Sequence, residues 1–162
     1  MLDILTLGDP ILKKTSALVP DINATIATLV SGMFAAMERA RGLGLAAVQV
    51  GELIRLFVTF APHDKPRVFI NPDILETSIE EVPYEEGCLS IPGLNADVKR
   101  PATVRVQAWN EKGRPFTMTA DGLLARVIQH ELDHLNGVLF IDRLEAKKRV
   151  RMITEYQEKL RL

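Results

Sequence analysis

The sequence predicts one domain that combines α-helices with β-strands. Apolar residues recur with the helical period of about 3.6 residues in two segments, 23–40 and 122–137, and again in a charged segment from residue 145 onward. Several short stretches between the first two segments have the composition or alternation of strands. The 162 residues are enough to bury one substantial core, and no repeat, low-complexity tract or linker divides them. We therefore expect a single domain over residues 1–162.

Residues at the helix ends agree with this assignment. Asn23 is suited to cap the first helix, which should end near residue 39 or 40, before Gly42. Gly122 and Gly137 bound the second helix, and Gly137 suits its C-terminal cap. The third helix, over residues 145–162, should pack on the sheet through four apolar side chains: Val150, Ile153, Tyr156 and Leu160.

Short apolar runs bounded by turn residues predict the strands. The predicted strands cover residues 53–60, 68–71, 73–82, 98–100, 103–109 and 115–120. We expect the third of them to end near Pro83, and residues 110–113 to form the turn between the last two.

The overall composition excludes several classes of protein. A hydrophobic share of 47% with 25% charged residues is ordinary for a globular protein, and the net charge of −1 gives no bulk attraction for nucleic acid. No apolar run is long enough to span a membrane, and the N-terminus lacks the pattern of a secretory signal, so we expect a cytoplasmic protein. The single cysteine, Cys88, excludes an internal disulfide.

The second helix contains two histidines at a spacing that suits a metal ion. Residues 130–134 read HELDH, and side chains four positions apart lie on the same face of a helix. His130 and His134 can therefore bind one ion together, while Glu131 can reach a water on that ion without binding it. Because the chain has only three histidines, an incidental pair is the less favoured interpretation.

The surroundings of the two histidines differ between the two sides of this helix. A wide apolar arc begins at the histidines, so the metal-binding face should be the face turned to the core. The arc contains Leu123, Leu124, Val127, Ile128, Leu132 and Leu135. The opposite side is polar and contains Arg126, Gln129, Asp133 and Asn136.

Two further stretches contain residues that suit a catalytic site. Residues 42–51 are small and glycine-rich, and the amide of Gln49 either donates to a developing oxyanion or satisfies backbone groups in a tight connection. Cys88 follows two acids, which disfavour a thiolate unless a cation stabilises it, although a lone cysteine is more often inert. The backbone N–H of Leu89 could face a substrate. A catalytic metal site generally has three protein ligands, and the residues alone leave both Cys88 and a nearby acid open as the third.

Three motifs resemble, in order and spacing, the signature motifs of the peptide deformylase family. They are GLGLAAVQ at residues 42–49, EGCLS at 86–90 and QHELDHL at 129–135. The resemblance extends over essentially the whole chain. It implies an α+β fold in which antiparallel sheets pack around the helix that carries the two histidines, with a further helix at the C-terminus.

The resemblance also implies a role for each motif residue. The family's metal ligands correspond to Cys88, His130 and His134. Glu131 would be the general acid and base, and Gln49 and the backbone N–H of Leu89 would polarise the formyl oxygen. Gly44 would line the substrate groove, and the pocket for the methionine side chain would be formed by Leu43, Leu123 and Val127.

The implied reaction is hydrolysis of the N-formyl group from the initiator methionine of new polypeptides, with release of formate. Fe²⁺ is the typical metal of the family, and Zn²⁺, Ni²⁺ or Co²⁺ would also suit nitrogen and sulfur ligands. The expected partners are N-formyl-methionyl nascent peptides, with room for a transient contact with the ribosome, and neither nucleic acid nor membrane is expected to bind directly.

Two alternative functions, a peptidase and a non-enzymatic binding module, belong to other classes of protein. A zinc endopeptidase shares the HExxH helix but usually takes its third ligand from downstream, and no histidine follows Gly137. A non-enzymatic metal-binding or ribosome-associated module would normally have a damaged site, whereas every motif position is intact here.

Overall fold

Within residues 1–161, the part of the chain that the computed structural model describes, there are three α-helices and seven β-strands. The helices are α1 (Ala24–Arg39), α2 (Gly122–Leu135) and α3 (Ala146–Leu160). The strands are β1 (Gly44–Ala46), β2 (Leu56–Thr59), β3 (Arg67–Thr77), β4 (Glu81–Cys88), β5 (Ile91–Pro101), β6 (Val104–Trp109) and β7 (Pro115–Ala120). The predicted α+β class with antiparallel sheets and a C-terminal helix is confirmed.

A five-stranded antiparallel sheet, in the order β1-β2-β3-β6-β7, is covered by helices on both faces. Successive side chains of a strand point to opposite faces, so neighbours in β2 enter different cores. Val58 packs with Met33 of α1 on one face, whereas Phe57 packs with Ile128 of α2 on the other. Both faces of β2 are therefore buried, which explains its continuous apolar run.

Strands β4 and β5 form a separate antiparallel hairpin with a core of its own. That core combines the inward side chains of β5 with α3 and two short 3₁₀ helices, at Pro10–Lys13 and Phe140–Arg143. Its buried members include Leu12, Ile91, Leu94, Val98, Phe140, Ile141, Met152 and Tyr156. The hairpin meets the polar side of α2, so α2 lies between the large sheet and the hairpin.

The predicted ends of α1 and α2 are confirmed. The side-chain oxygen of Asn23 accepts hydrogen bonds from the backbone N–H groups of Thr25 and Ile26, at 3.1 and 3.2 Å. Gly137 follows α2 with a φ of +73°, a conformation that favours glycine. The predicted turn at residues 110–113 closes with a hydrogen bond from the N–H of Gly113 to the carbonyl of Asn110.

The boundaries of β3, β4 and β5 differ from the predicted ones. Residues 68–71 and 73–82 were expected to form two strands, but β3 runs from Arg67 to Thr77 with a register shift near Asn71, whose φ is +50°. The predicted end of a strand near Pro83 was wrong, since Pro83 lies within β4. Among the residues described, β4 pairs only with β5, so its other edge has no neighbouring strand. A proline is tolerated in such an edge strand since its missing N–H costs no ladder hydrogen bond.

The predicted apolar side of α3 was partly wrong. Tyr156 is buried, but Val150 is 60% exposed and Leu160 is 66% exposed. Met152 takes an inward position instead, about 40° from Tyr156 around the helix, whereas Val150 lies about 120° away. Leu160 lies on the side of Tyr156 but is the last residue of α3. No helix among residues 1–161 has both the length and the apolar character needed to cross a membrane.

Candidate active site

Three potential metal ligands from two elements converge beside α2. His130 and His134 lie one turn apart on the helix, and Cys88 is the last residue of β4. One ligand atom from each of the three lies within 4.8 Å of the others. The Cys88 sulfur is 3.4 Å from Nε2 of His134. The pairing of β4 with β5 shifts register between Gly87 and Cys88, so the cysteine lies at the irregular end of the hairpin.

Glu86 orients His130, and the sequence analysis did not assign it this role. Nδ1 of His130 lies 2.9 Å from Oε1 of Glu86, so this nitrogen donates its proton to the carboxylate and Nε2 faces Cys88. A carboxylate that binds the outer nitrogen of a metal-binding histidine fixes both its tautomer and its ring orientation. The donor set of one sulfur and two imidazole nitrogens, aimed at a common point, therefore fits a transition-metal ion.

Glu86 is itself held by two buried arginines. Arg100 donates to both oxygens of Glu86, at 2.7 and 3.0 Å, and Arg126 donates to Oε2 at 2.8 Å. Burial alone would raise the pKa of Glu86, but the hydrogen bonds from His130 and Arg100 and their positive charges outweigh it and lower the pKa to about 2. Glu86 is therefore ionised at any physiological pH.

The ion-pair network continues from Arg100 along the polar side of α2 to the surface. Asp133 accepts hydrogen bonds from Arg100 at 2.8 Å and from Arg143 at 2.7 and 3.1 Å. Arg126 also donates to the carbonyls of Val82 and Val98, at 2.6 and 2.7 Å, which joins α2 to both strands of the hairpin. The two charged side chains on the polar side of α2, Arg126 and Asp133, are thus both buried and both paired.

Glu131 lies beside the ligands in a position suited to proton transfer. It is 4% exposed, and its Oε2 is 4.0 Å from Nε2 of His130. Its Oε1 is buried without a hydrogen-bond partner among the described residues, so it is free for a water molecule or a substrate. Burial raises the pKa of Glu131 to about 7, with the positive charge of His130 opposing the shift.

The two histidines have opposite protonation preferences. Burial opposes a charge on His130, but hydrogen bonds to Cys88 and Glu86 and the charge of Glu131 raise its pKa well above the ordinary value. Burial and the nearby charge of His130 lower the pKa of His134 well below it. The site thus favours one positive charge at the point where the three ligand atoms meet, and a bound cation would replace the proton of His130.

The carboxamide of Gln49 reaches the same cluster from the other side. Gln49 lies in a short 3₁₀ helix, Ala47–Val50, directly after β1. Its Nε2 is 3.7 Å from the sulfur of Cys88 and donates to Oγ of Ser90 at 3.0 Å. The alternative in which this glutamine only satisfies backbone groups is incomplete, because its NH₂ group faces the cluster and Ser90.

An open cavity of about 580 Å³ lies over these groups. The sequence-predicted residues on its wall are Leu43, Gly44, Gln49, Cys88, Leu89, Leu123, Val127, His130 and Glu131. Gly44 comes so close to Glu131 that a Cβ atom there would lie 2.7 Å from its Oε2. Tyr84 and Asn95, which the sequence analysis did not single out, also line the cavity.

Comparison with known proteins identifies the family. The sequence profile of the polypeptide deformylase family matches residues 1–150. The chain belongs to the polypeptide deformylase family. A peptide deformylase from Brucella suis is 44% identical over 159 residues, covering 96% of this chain and 91% of that protein. One from Treponema pallidum is 47% identical over 150 residues, covering 93% of this chain and 92% of that protein.

The likeness to solved deformylases extends to the whole fold. A crystal structure of peptide deformylase from Ehrlichia chaffeensis in complex with actinonin has a TM-score of 0.96 and 39% sequence identity, and covers 100% of this chain and 99% of that one. Deformylases depend on a metal, and in this member Cys88, His130 and His134 form the cluster that could bind it.

The sequence predicted no role for Glu86, Arg100 or Arg143 in the candidate site. Glu86 belongs to the EGCLS motif, and its position two residues before Cys88 on a strand is a signal that places both side chains on one face. Arg100 and Arg143 carry no such signal, because only the fold brings them to Asp133.

Proposed function

We propose that this chain removes the N-formyl group from the initiator methionine of newly made polypeptides and releases formate. The observation that supports this most directly is the convergence of one ligand atom each from Cys88, His130 and His134 beside an open cavity whose wall includes Cys88, His130 and Glu131. The proposed substrate is an N-formyl-methionyl nascent peptide. The proposed location is the cytoplasm, with transient contact near the ribosome.

Cys88, His130 and His134 would hold the metal, which we propose to be Fe²⁺, with Zn²⁺, Ni²⁺ or Co²⁺ as substitutes. When bound, such an ion supplies Lewis acidity, which polarises a carbonyl oxygen and lowers the pKa of water toward neutrality. The fit rests on the sulfur and nitrogen donor set and on the Glu86 carboxylate, which turns Nε2 of His130 toward the other two ligands.

Glu131 would act as the general base and then as the general acid. It would take a proton from the attacking water and pass it to the amine that leaves when the C–N bond breaks. A catalytic group works best when its pKa lies near the working pH, and burial places that of Glu131 at about 7. Its Oε1, which has no hydrogen-bond partner within residues 1–161, provides the acceptor for the water proton.

Gln49 and the backbone N–H of Leu89 would stabilise the negative charge that develops on the formyl oxygen. Both amide nitrogens act as hydrogen-bond donors and not as acceptors. The side-chain nitrogen of Gln49 already lies 3.7 Å from the sulfur of Cys88. Removal of one such donor typically lowers turnover by about 10²–10³. Leu43, Leu123 and Val127 would form the pocket for the methionine side chain, and Gly44 would keep the groove open beside Glu131.

The proposal is tested by formate release from formyl-Met-Ala-Ser, using protein purified without oxygen and loaded with Fe²⁺. We expect metal-dependent release that falls by about 10² or more in a Glu131→Ala variant with unchanged metal content. A Glu111→Ala variant, which changes an exposed acid in the β6–β7 turn, serves as the matched control and should retain wild-type turnover.

The same peptide without its formyl group separates this function from peptidase activity. Cleavage of that peptide, or no formate release by protein shown to contain metal, would contradict the proposal. The first result would favour an endopeptidase and the second a metal-binding module.

A further inference from the structure

The carboxamide of Gln49 is held at both of its ends. Its Oε1 accepts a hydrogen bond from the backbone N–H of Ala46 at 2.9 Å, and its Nε2 donates to Oγ of Ser90 at 3.0 Å. A backbone N–H can pair only with an acceptor, so Ala46 fixes which end of the amide is oxygen. The NH₂ group must therefore point toward Ser90 and Cys88.

The contact with Ser90, together with that of Ala46, fixes the orientation of the planar carboxamide. An amide nitrogen carries two N–H groups in one plane. Ser90 accepts from one of them, and the second points at the sulfur of Cys88, a weak acceptor 3.7 Å from the nitrogen. Gln49 is 1% exposed and Ser90 is fully buried, so bulk water does not compete for the hydrogen bond that joins them.

The N-terminal arm, residues 1–7, holds together the two segments that carry this pair. The backbone N–H of Leu5 donates to the carbonyl of Gln49, and that of Leu7 donates to the carbonyl of Ser90, both at 2.7 Å. Leu2 and Ile4 pack against the core under α1, which anchors the arm. The distance between Gln49 and Ser90 is therefore fixed by the backbone of the N-terminal arm as well as by the hydrogen bond between their side chains.

We propose that Ser90 is a positioning residue, whose hydroxyl holds the Gln49 carboxamide so that its second N–H meets the formyl oxygen during the reaction. The inference rests on the proposed function. Ser90 acts through Gln49 and does not touch the substrate. A donor that is oriented in advance stabilises the transition state more than one that must first be ordered, so loss of the hydroxyl should lower kcat while KM changes little.

The test compares wild-type protein with Ser90→Ala, loaded with the same metal, in the formate assay on formyl-Met-Ala-Ser. We expect kcat to fall about tenfold, the worth of one hydrogen bond, with KM changed by less than about twofold. Ser16→Ala is the matched control, because it also removes a buried hydroxyl, one without a hydrogen-bond partner among the described residues, and it should leave kcat unchanged.

A double-mutant cycle shows whether Ser90 acts through Gln49. In a Gln49→Ala background, Ser90→Ala should cause no further loss of kcat, because the group it positions is gone. Equal losses in the two backgrounds would overturn the proposal. Threonine and valine have nearly the same shape as each other, but only threonine keeps the hydroxyl. The kcat of Ser90→Thr should therefore exceed that of Ser90→Val, even where both variants lose stability. Equal kcat for these two variants would also overturn it.

A second readout does not depend on activity. The chain has four glutamines, so the ¹⁵N-labelled side-chain amide of Gln49 is identified by its loss in Gln49→Ala. Ser90→Ala should shift this pair of amide signals and speed their exchange with solvent, whereas Ser16→Ala should not. Unchanged signals in Ser90→Ala would overturn the proposal. No formate release by metal-loaded wild-type protein would instead overturn the proposed function, and the amide signals would still report whether Ser90 holds Gln49.

Discussion

Replacing Glu86 with glutamine should remove a large part of the pH dependence of the free energy of unfolding at acidic pH. The side chain of Glu86 is 3% exposed and accepts hydrogen bonds from Arg100, Arg126 and His130. Glutamine has nearly the same shape, but it lacks the charge and has one acceptor oxygen instead of two. The variant therefore removes the negative charge, together with one of the two accepting oxygens, while it keeps the size of the side chain.

The magnitude follows from the pKa of Glu86. Its pKa is about 2 in the folded protein against an ordinary value of 4.5, and each pH unit of difference is worth about 1.4 kcal/mol. The folded-state pKa is the lower one, so the stabilisation is complete above pH 4.5 and is lost as the pH falls toward 2. The charge of Glu86 should thus contribute about 3 kcal/mol to the free energy of unfolding at neutral pH.

Urea unfolding followed by circular dichroism from pH 7 to pH 2.5 checks this value. At pH 7 we expect the free energy of unfolding of the wild-type protein to exceed that of Glu86→Gln by about 3 kcal/mol. The two plots of unfolding free energy against pH should converge as the pH approaches the pKa of about 2. The difference between the curves is the relevant quantity, since loss of metal in acid affects both. Glu85→Gln, which changes the exposed neighbouring acid, should follow the wild-type curve. A difference that stays constant across this range would refute the reasoning.

Three further predictions concern the groove, the metal and the ion pairs. Gly44→Ala should lower kcat/KM by about 10²-fold, because the new Cβ would lie 2.7 Å from Glu131 and 2.8 Å from Val127; unchanged formate release would contradict this. Removing the metal with a chelator should lower Tm, since a ligand at about a thousand times its Kd adds about 4 kcal/mol, and an unchanged Tm in protein shown to be metal-free would count against the site. Arg126→Ala should cost about 3 kcal/mol or more in thermal or urea unfolding, whereas Lys13→Ala, which breaks an exposed ion pair, should cost less than about 1 kcal/mol; similar costs would contradict the network.

The elements that the sequence predicted well are those whose signals are local. The second helix could be assigned from its own period and its flanking glycines, and the spacing of His130 and His134 places both on one face whatever surrounds them. The N-cap Asn23 and the β6–β7 turn are equally local, because their donors and acceptors lie within four residues of each other.

The elements that the sequence predicted poorly depend on long-range contacts. Strand β4 contains Pro83 and Gly87 and has exposed side chains along most of its length, so neither composition nor alternation marks it as a strand. It is a strand because it pairs with β5 and because Arg126 binds the carbonyl of Val82. For the same reason the residues alone did not favour Cys88 over a nearby acid as the third potential ligand, since only this hairpin brings Cys88 to α2.

The register of β4 connects the fold to the chemistry. Glu86 and Cys88 are two residues apart, so both side chains point from β4 toward α2, and the same strand supplies one proposed metal ligand and the carboxylate that orients a second. A slip of one residue would turn both side chains away from α2. Gly87 pairs with Asn95 so closely that a Cβ atom there would collide with its side-chain oxygen, and the ion pairs of Glu86 with Arg100 fix the same pairing from the other face. The buried charges therefore specify the strand register on which the geometry of the candidate metal site depends.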